Sequence, residues 1–329
     1  MKYIVNLREG EQVRGIYLCK QRTSAVTKNG KNYDNVILQD KTGTIDCKIW
    51  DPNSMGIADF EALDYVEVTG DVSLYNGSFQ MSIKGARIAE KGEYNPSDYL
   101  PTSRKDIETM YGALLKAVAA VNNQYLKKLL DSFFVEDKEF IESFKEHSAA
   151  KTMHHGFVGG LLEHSLAVTN ICAFFTQMYP ILNKDLLLTA AMLHDIGKTK
   201  ELSLFPQNDY TDDGQMLGHI VIGYEMISEK IKNIPDFPEK LAVDLKHCIL
   251  AHHGELEYGS PKKPSIPEAF ALNLADNCDA KMEMLTELIL NNNPLQGSQW
   301  YGFNRGLDSN IRQSSLNQDK EFFQRIYRS

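Results

Sequence analysis

The stretch Met192-Leu193-His194-Asp195-Ile196-Gly197-Lys198 places an imidazole and a carboxylate side by side at the end of an apolar helix. Asn183 can cap the start of this helix, and the leucines and alanines over residues 186–193 indicate that it is buried. Gly197 predicts a left-handed stop after the pair. A buried polar group costs free energy unless it is paired or binds a metal ion. The pair is therefore a candidate metal site, with an ordinary hydrogen bond at the helix end as the alternative.

Histidines and one further aspartate on other predicted helices could complete such a site. In chain order the candidate metal ligands are His164, His194, Asp195, His219, His252, His253 and Asp276. Neutral imidazoles and carboxylates suit Mn²⁺, Fe²⁺, Co²⁺, Ni²⁺ or Zn²⁺, and no thiolate is needed. The set is too large for one closed tetrahedral site, whereas two ions that share Asp195 would use all of it. Such a pair of ions can bind a phosphate ester and generate hydroxide, which predicts a phosphoester hydrolase.

Four more residues near these ligands are candidates for other roles in the site. Lys198 could neutralise a phosphate oxygen as charge develops, or it could be an exposed lysine favoured by the helix dipole. His154 and His155 could contact a substrate phosphate or protonate the leaving group, or they could hydrogen-bond the backbone of their loop. Asp279, one helical turn after Asp276, could orient a metal ligand or face solvent.

The N-terminal part of the chain has the pattern of a β-barrel. Residues 13–88 contain five predicted strands with turn signals at 28–30, 40–43 and 75–77, and residues 52–63 could form one helix after the third strand. This is the element order of an OB-fold barrel. In Leu38-Gln39-Asp40-Lys41-Thr42-Gly43-Thr44-Ile45 above all, the sequence resembles the OB domains that bind single-stranded nucleic acid. We therefore predict a nucleic-acid-binding barrel.

Barrels of this type bind by stacking bases on exposed aromatic side chains beside basic ones. The candidates in the barrel are Tyr33, Trp50, Tyr75, Phe79, Lys28, Lys31, Lys48 and Lys84. Taken singly, these aromatics could instead fill the barrel and the lysines could only solvate its surface. In the C-terminal tail, Arg305 could pair with a phosphate and Trp300 or Tyr301 could stack on substrate, with simple packing of the tail as the alternative.

The chain is predicted to be a multidomain α+β protein. The OB-fold barrel covers residues 1–90, and a linker rich in Pro, Gly and Ser covers 91–105. An all-α helical bundle then covers 106–290, and an aromatic and basic extension over 291–329 packs on the bundle or on a partner subunit. A length of 329 residues is consistent with two or three domains.

Composition limits the class of protein and its compartment. A net charge of −9 argues against a protein that coats nucleic acid by bulk electrostatics, so contacts with nucleic acid should be local. The chain has no run of about 18 apolar residues, and residues 1–6 lack the apolar segment of a signal peptide. The five cysteines are scattered and odd in number, which favours reduced thiols. We expect a cytoplasmic protein with no membrane contact.

The spacing His...His-Asp...Asp resembles that of the HD-domain metallophosphohydrolases, and the additional histidines are similar to their two-metal branch. An OB barrel, a linker and an HD domain, together with the segments 154–164 (HHGFVGGLLEH) and 193–198 (LHDIGK), are similar to the YhaM family of bacterial 3′-5′ exoribonucleases over nearly the whole chain. The core metal ligands that the resemblance implies are His164, His194, Asp195 and Asp276. It also implies a second ion on His219 and one of His252 and His253. Mn²⁺ is the expected ion, and Co²⁺, Fe²⁺, Ni²⁺ or Zn²⁺ remain open.

The leading hypothesis is a metal-dependent 3′-5′ exonuclease that hydrolyses single-stranded RNA to 5′-mononucleotides. Asp195 would bridge the ions, the ions and Lys198 would stabilise the developing charge, and the barrel would hold the upstream nucleotides. Single-stranded DNA as a second substrate and a homo-oligomeric assembly both remain open. One alternative is an HD-domain hydrolase of nucleotides or cyclic dinucleotides with a regulatory barrel. Another is a non-catalytic nucleic-acid binder with a structural metal.

Overall fold

A computed structural model describes residues 2–27, 29–75, 77–151, 155–292, 294–295 and 297–314 of the chain. Its contacts divide the chain into two compact units, Met1–Thr102 and Ser103–Ser329. The division falls within residues 91–105, the segment predicted to be the linker.

The first unit is a closed five-stranded barrel. Its strands in chain order are β1 Gln12–Val26, β2 Asn32–Asp40, β3 Gly43–Ile49, β4 Tyr65–Tyr75 and β5 Ser78–Ile88. Around the barrel they follow the order β1-β2-β3-β5-β4, and β1 closes the barrel by pairing with β4. Strands β3 and β5 pair in parallel, whereas the other neighbours are antiparallel. This is the OB-fold topology, so the predicted fold of the N-terminal part is confirmed.

The strands form because apolar residues alternate with polar ones. In β2 the side chains of Val36 and Leu38 are buried between less buried neighbours, and in β3 Ile45, Cys47 and Ile49 are buried in the same way. A period of two directs these side chains into the barrel and their neighbours outward. The outward positions of β2 and β3 are therefore the ones that could meet a ligand.

The helix that the sequence indicated over residues 52–63 is not present. The segment forms turns and one parallel bridge between Ile57 and Ala86 of β5. The backbone N–H of Ala58 donates to the Ala86 carbonyl, and the N–H of Ala86 donates to the Gly56 carbonyl. Backbone groups that pair with a strand cannot also pair within a helix, so contact with β5 decides the conformation here. Phe60 from this segment is buried in the barrel core.

The second unit is mainly helical. Its helices are α1 Ile107–Ala119, α2 Gln124–Phe134, α3 Lys138–Glu146, α4 Gly160–Met178, α5 Lys184–Leu193, α6 Lys198–Glu201, α7 Asp212–Lys232, α8 Glu239–Ala251 and α9 Pro267–Asn291. A two-stranded antiparallel sheet, β6 Trp300–Asn304 and β7 Ser309–Arg312, follows in the tail. None of the helices in the described ranges is long and apolar enough to cross a membrane.

Helix α5 lies at the centre of the helical unit. It packs against α4, α8 and α9, and every residue from Leu186 to Leu193 is buried. Because α5 is covered on all sides, the residues that follow it are delivered into the interior rather than to the surface. The His194-Asp195 pair therefore starts from a rigid, buried support.

Asn183 caps α5 as predicted, since its side-chain oxygen accepts the backbone N–H of Leu186 at 3.1 Å. We expect Asn183→Ala to lower the free energy of unfolding by ~1 kcal/mol, because that N–H loses its acceptor. Asn170→Ala, at an exposed position inside α4, is the control and should have no destabilising effect. Urea unfolding followed by far-UV circular dichroism measures both, and equal stability of the two variants would contradict the capping role.

Candidate metal centre

The His194-Asp195 pair lies in the tight turn that follows α5. Gly197 in this turn has right-handed backbone angles, φ −62° and ψ −21°, so the predicted left-handed stop is wrong. A Cβ at position 197 would lie 2.0 Å from the carbonyl oxygen of His219 and 2.7 Å from the backbone nitrogen of Gly223. Glycine is needed because the turn touches the backbone of α7. This close approach brings His219 beside Asp195.

His219 follows a kink inside α7. Gly218 has non-helical angles there, φ 73° and ψ 156°. Glu201, at the end of α6, uses its Oε1 to accept the backbone N–H of His219 at 2.9 Å and lies 3.0 Å from its Nδ1. Burial by itself raises the pKa of Glu201, but contact with His219 lowers that pKa below its usual value. An ionised carboxylate can only accept, so Nδ1 of His219 carries its proton and Nε2 keeps a lone pair.

One group of potential ligand atoms surrounds Oδ2 of Asp195. The Nε2 atoms of His164, on α4, and His194 lie 3.4 Å and 3.3 Å from this oxygen. These two nitrogens are 3.2 Å apart, and Oδ1 of Asp276, on α9, lies 3.2 Å from Nε2 of His164. All of these atoms could reach one ion placed between them.

A second group surrounds Oδ1 of the same carboxylate. The Nε2 atoms of His219 and His252 lie 3.4 Å and 3.6 Å from this oxygen. One nitrogen from each of His219, His252 and His253 lies within 4.8 Å of the others. The resemblance implied only one of His252 and His253 as a ligand, whereas the geometry allows both. Asp195 thus faces a separate histidine group with each of its oxygens.

Local structure orients the histidines at the helix ends. His194 follows α5 and its Nδ1 lies 2.8 Å from the Ala191 carbonyl, and His252 follows α8 with its Nδ1 2.6 Å from the Ile249 carbonyl. The last carbonyls of a helix have no partner within the helix, so each can accept an imidazole N–H. A carbonyl cannot donate, which fixes the proton on Nδ1 and leaves the Nε2 lone pair facing Asp195.

The donor set fits divalent metal ions. Asp195 Oδ1, His219 Nε2 and His252 Nε2 are buried and have no hydrogen-bond partner among the residues that the structure describes. Buried polar atoms without partners are costly unless something else satisfies them. Here the atoms are lone-pair donors that converge, and neutral imidazoles and carboxylates are the ligands that divalent transition metals accept. All three atoms belong to the group around Oδ1 of Asp195, so one such ion would satisfy them.

The charges at the centre also favour cations. Burial raises the pKa of Asp195, but the charge of Lys198 above all, together with contacts from the neighbouring imidazoles, holds that pKa well below its usual value. Burial likewise raises the pKa of Asp276, and His164 and the other imidazoles more than offset it. Both carboxylates are therefore ionised at neutral pH. Burial lowers the pKa of His252 and His253, which keeps these imidazoles neutral and able to ligate.

Lys198 belongs to the centre rather than to the surface. Its Nζ lies 2.7 Å from Oδ2 of Asp195, and only 15% of its side chain is exposed. Burial lowers the pKa of Lys198, but Asp195 raises it above the usual value, so the ammonium stays charged. The contact argues against the reading of Lys198 as an exposed lysine at a helix end.

A cavity of about 700 Å³ gives access to the centre. Its wall includes His164, Asp195, Lys198, His253 and Asp276, together with Tyr258 from the loop between α8 and α9 and with Asn273 and Lys281 from α9. Gly306, Leu307 and Asp308, in the turn between β6 and β7, also line it. Arg305 precedes them and is exposed. The tail therefore contributes to the wall of the cavity.

His155 lies behind the centre. It is only 2% exposed, and its Nε2 lies 3.0 Å from Oδ2 of Asp279, on α9. The same oxygen lies 2.7 Å from Nδ1 of His164. Asp279 therefore faces the candidate centre and not solvent. The second histidine of this loop, His154, lies outside the described residues.

The structure brings together only some of the predicted nucleic-acid-binding residues. The rings of Tyr33 and Trp50 lie 5.3 Å apart on the barrel, and the ammonium of Lys48 lies 5.5 Å from the Tyr33 ring. Trp50 is 54% exposed. Tyr75 and Phe79, near the turn between β4 and β5, are also exposed. Lys31 is exposed, Lys84 forms an ion pair with Asp71, and Lys28 lies outside the described residues.

Two residues beside the histidines were not predicted. Glu201 contacts His219 across 18 positions of sequence, and Asn273 donates its side-chain N–H to the His252 carbonyl at 2.8 Å. Both contacts depend on how separate helices pack. No local spacing or composition distinguishes these residues from other polar residues on helices.

Fold and site together define an HD-domain protein. The family model of the HD domain matches residues 161–281, which contain all seven candidate ligands. The 3′-5′ exoribonuclease YhaM of Geobacillus sp. (strain WCH70) is 36% identical over 285 residues, 86% of this chain and 87% of that protein. The 3′-5′ exoribonuclease YhaM of Bacillus subtilis (strain 168) is 35% identical over 277 residues, 84% of this chain and 87% of that protein. The chain belongs to the YhaM family.

Proposed function

We propose that this protein is a metal-dependent exonuclease that hydrolyses single-stranded RNA from its 3′ end and releases 5′-mononucleotides. The observation that carries the proposal is that the two oxygens of Asp195 face two separate histidine groups. The relatives are 3′-5′ exoribonucleases by name, which supports RNA as the substrate and the 3′ end as the starting point. All five cysteines are free thiols, which supports a reducing, cytoplasmic location.

We also propose that the centre holds two ions, with Mn²⁺ as the first candidate. His164, His194, Asp276 and Oδ2 of Asp195 would hold one ion. The ligands of the other ion would be His219, His252, His253 and Oδ1 of Asp195. Two divalent ions supply the charge neutralisation and the water activation that phosphodiester hydrolysis needs. The same donors suit Co²⁺, Fe²⁺, Ni²⁺ and Zn²⁺.

The chain supplies the remaining functions with its own residues. Asp195 keeps the two histidine groups at a fixed separation, because its carboxylate is buried at the end of α5. Lys198 lines the cavity with a charged ammonium and can neutralise a phosphate oxygen there. On the barrel, Trp50 and Tyr33 can stack on upstream bases, and Lys48 can pair with a phosphate.

The proposal is tested with metal-stripped protein that is resupplied with Mn²⁺ and given single-stranded RNA labelled at its 5′ end. We expect a ladder that shortens from the 3′ end. The same RNA labelled at its 3′ end should release a labelled mononucleotide in the first step. A circular RNA has no end and should remain intact. Cleavage of the circle would contradict an exonuclease. The substrate class would be contradicted if linear RNA stayed intact with every metal ion while a cyclic dinucleotide was hydrolysed.

Trp50 provides a test of the barrel. We expect Trp50→Ala to weaken binding of single-stranded RNA by about 5-fold or more, because stacking contributes ~1–3 kcal/mol per base. The anisotropy of a dye-labelled single-stranded RNA measures the affinity of the wild type and of Trp50→Ala. The chain has two tryptophans, so in a separate Trp300→Phe variant the quenching of the remaining fluorescence shows whether Trp50 itself contacts the RNA. Val26→Ala, at another exposed apolar position of the barrel, is the control. Unchanged affinity in Trp50→Ala would contradict the proposed stacking of RNA bases on Trp50.

A further inference from the structure

Two of the histidines that face Asp195 are held by carboxylates, whereas the others are held by backbone carbonyls. His194, His252 and His253 direct Nδ1 to the carbonyls of Ala191, Ile249 and Tyr258. His164 and His219 instead direct Nδ1 to Asp279 and Glu201. Each histidine group therefore contains one imidazole that depends on an acidic side chain from elsewhere in the chain.

Asp279 serves the group around Oδ2 of Asp195. Its Oδ2 lies 2.7 Å from Nδ1 of His164 and 3.0 Å from Nε2 of His155, and 14% of its side chain is exposed. The carboxylate thus acts as an acceptor for both rings and holds them in one orientation.

Glu201 serves the group around Oδ1 of Asp195. One oxygen of its carboxylate accepts the backbone N–H of His219 and also contacts Nδ1 of the same residue. The kink at Gly218 makes this possible, because it removes His219 from the regular helical ladder. Glu201 therefore holds both the backbone and the ring of His219.

We infer that Asp279 and Glu201 are positioning residues, each of which orients one histidine of a different metal site. Each carboxylate fixes the proton of its histidine on Nδ1 and aims Nε2 at the ion, and it also makes the imidazole a stronger electron donor. The inference rests on the proposed two-ion centre, and it predicts that each carboxylate acts on its own ion.

The test is Mn²⁺ binding to metal-stripped full-length protein, measured by isothermal titration calorimetry. The variants Glu201→Gln and Asp279→Asn keep the shape of the side chain and remove its charge. We expect each variant to weaken one of the two binding steps by about 10- to 100-fold and to leave the other unchanged. Glu225→Gln removes an exposed carboxylate from α7, the helix of His219, and should bind like the wild type.

A second set of variants assigns each effect to its site. In a His219→Ala background, which removes a ligand of one ion, Glu201→Gln should have no further effect on the remaining affinity, whereas Asp279→Asn should still lower it. In a His164→Ala background, Asp279→Asn should have no further effect on the remaining affinity, whereas Glu201→Gln should still lower it. Glu201→Asp, which keeps the charge but shortens the side chain, should lie between the wild type and Glu201→Gln.

The outcomes separate this inference from the proposed function. If the wild type binds two ions and both amide variants bind them equally well, the metal centre stands and the positioning role is overturned. If Glu201→Gln weakens both sites equally, the residue has only a general structural role, which also overturns the inference. If the wild type binds no ion, the proposed centre itself fails and the inference fails with it.

Discussion

Asp195→Asn is expected to lower the rate of RNA hydrolysis by about 1000-fold or more, equivalent to ~4 kcal/mol of transition-state stabilisation. The substitution keeps the shape of the side chain but removes the negative charge that lies between the two histidine groups. An amide also places an N–H₂ group near the lone pairs of His194 or His219, which weakens the attraction for cations. The initial rate of shortening of 5′-labelled RNA measures the effect.

Lys198 makes a second variant necessary. Its ammonium lies 2.7 Å from Asp195, so Asp195→Asn leaves a largely buried charge without its partner. The double variant Asp195→Asn, Lys198→Met removes both charges and separates this effect from the loss of the shared ligand. We expect the double variant to be as inactive as the single one. Restored activity in the double variant would mean that Asp195 is not needed as a ligand.

Gly197→Ala is expected to lower the free energy of unfolding of the helical unit by ~3 kcal/mol or more. The added methyl group would lie 2.0 Å from the His219 carbonyl oxygen and 2.7 Å from the Gly223 nitrogen. Both are backbone atoms of α7, so relief requires the turn and the helix to move apart. Such movement also separates Asp195 from His219, and we expect a loss of metal affinity even in the fraction that folds.

Gly112→Ala is the matched control for this substitution. Gly112 lies inside α1, where an added Cβ has no heavy atom within 4 Å outside its own helix. Alanine restricts the unfolded chain at such a position, so we expect a gain of ~0.5–1 kcal/mol. Chemical denaturation followed by circular dichroism compares the two variants. Equal stability of Gly197→Ala and the wild type would show that the close approach of the turn to α7 does not matter for folding.

The conformation of Gly197 shows where sequence reasoning failed. Glycine after an apolar helix predicts a left-handed stop, because that is its commonest use at helix ends. Here the backbone is right-handed, and the residue is glycine because of a neighbour that comes 22 positions later, at His219. The absence of a side chain is the same in both cases, so the local sequence cannot distinguish them.

The helix predicted over residues 52–63 was wrong for a related reason. Their composition permits a helix, but Gly56 and Ala58 pair with Ala86 of β5 instead. Backbone pairing with a distant strand is decided only when that strand is in place. By contrast, the five strands were predicted correctly, because a period of two and the turn signals between the strands are local properties.

The sequence by itself determined the chemistry that the centre can use. Imidazoles and carboxylates on helices and at their ends, with no thiolates among them, define the class of ion, and cap residues such as Asn183 define where α5 begins. Only the tertiary structure decided which oxygen of Asp195 faces which histidines. It also decided that Asp279 contacts Nδ1 of His164 and that Glu201 contacts Nδ1 of His219. Periodicity and capping act over a few residues, whereas these contacts join residues 18 to 115 positions apart and depend on how the helices pack.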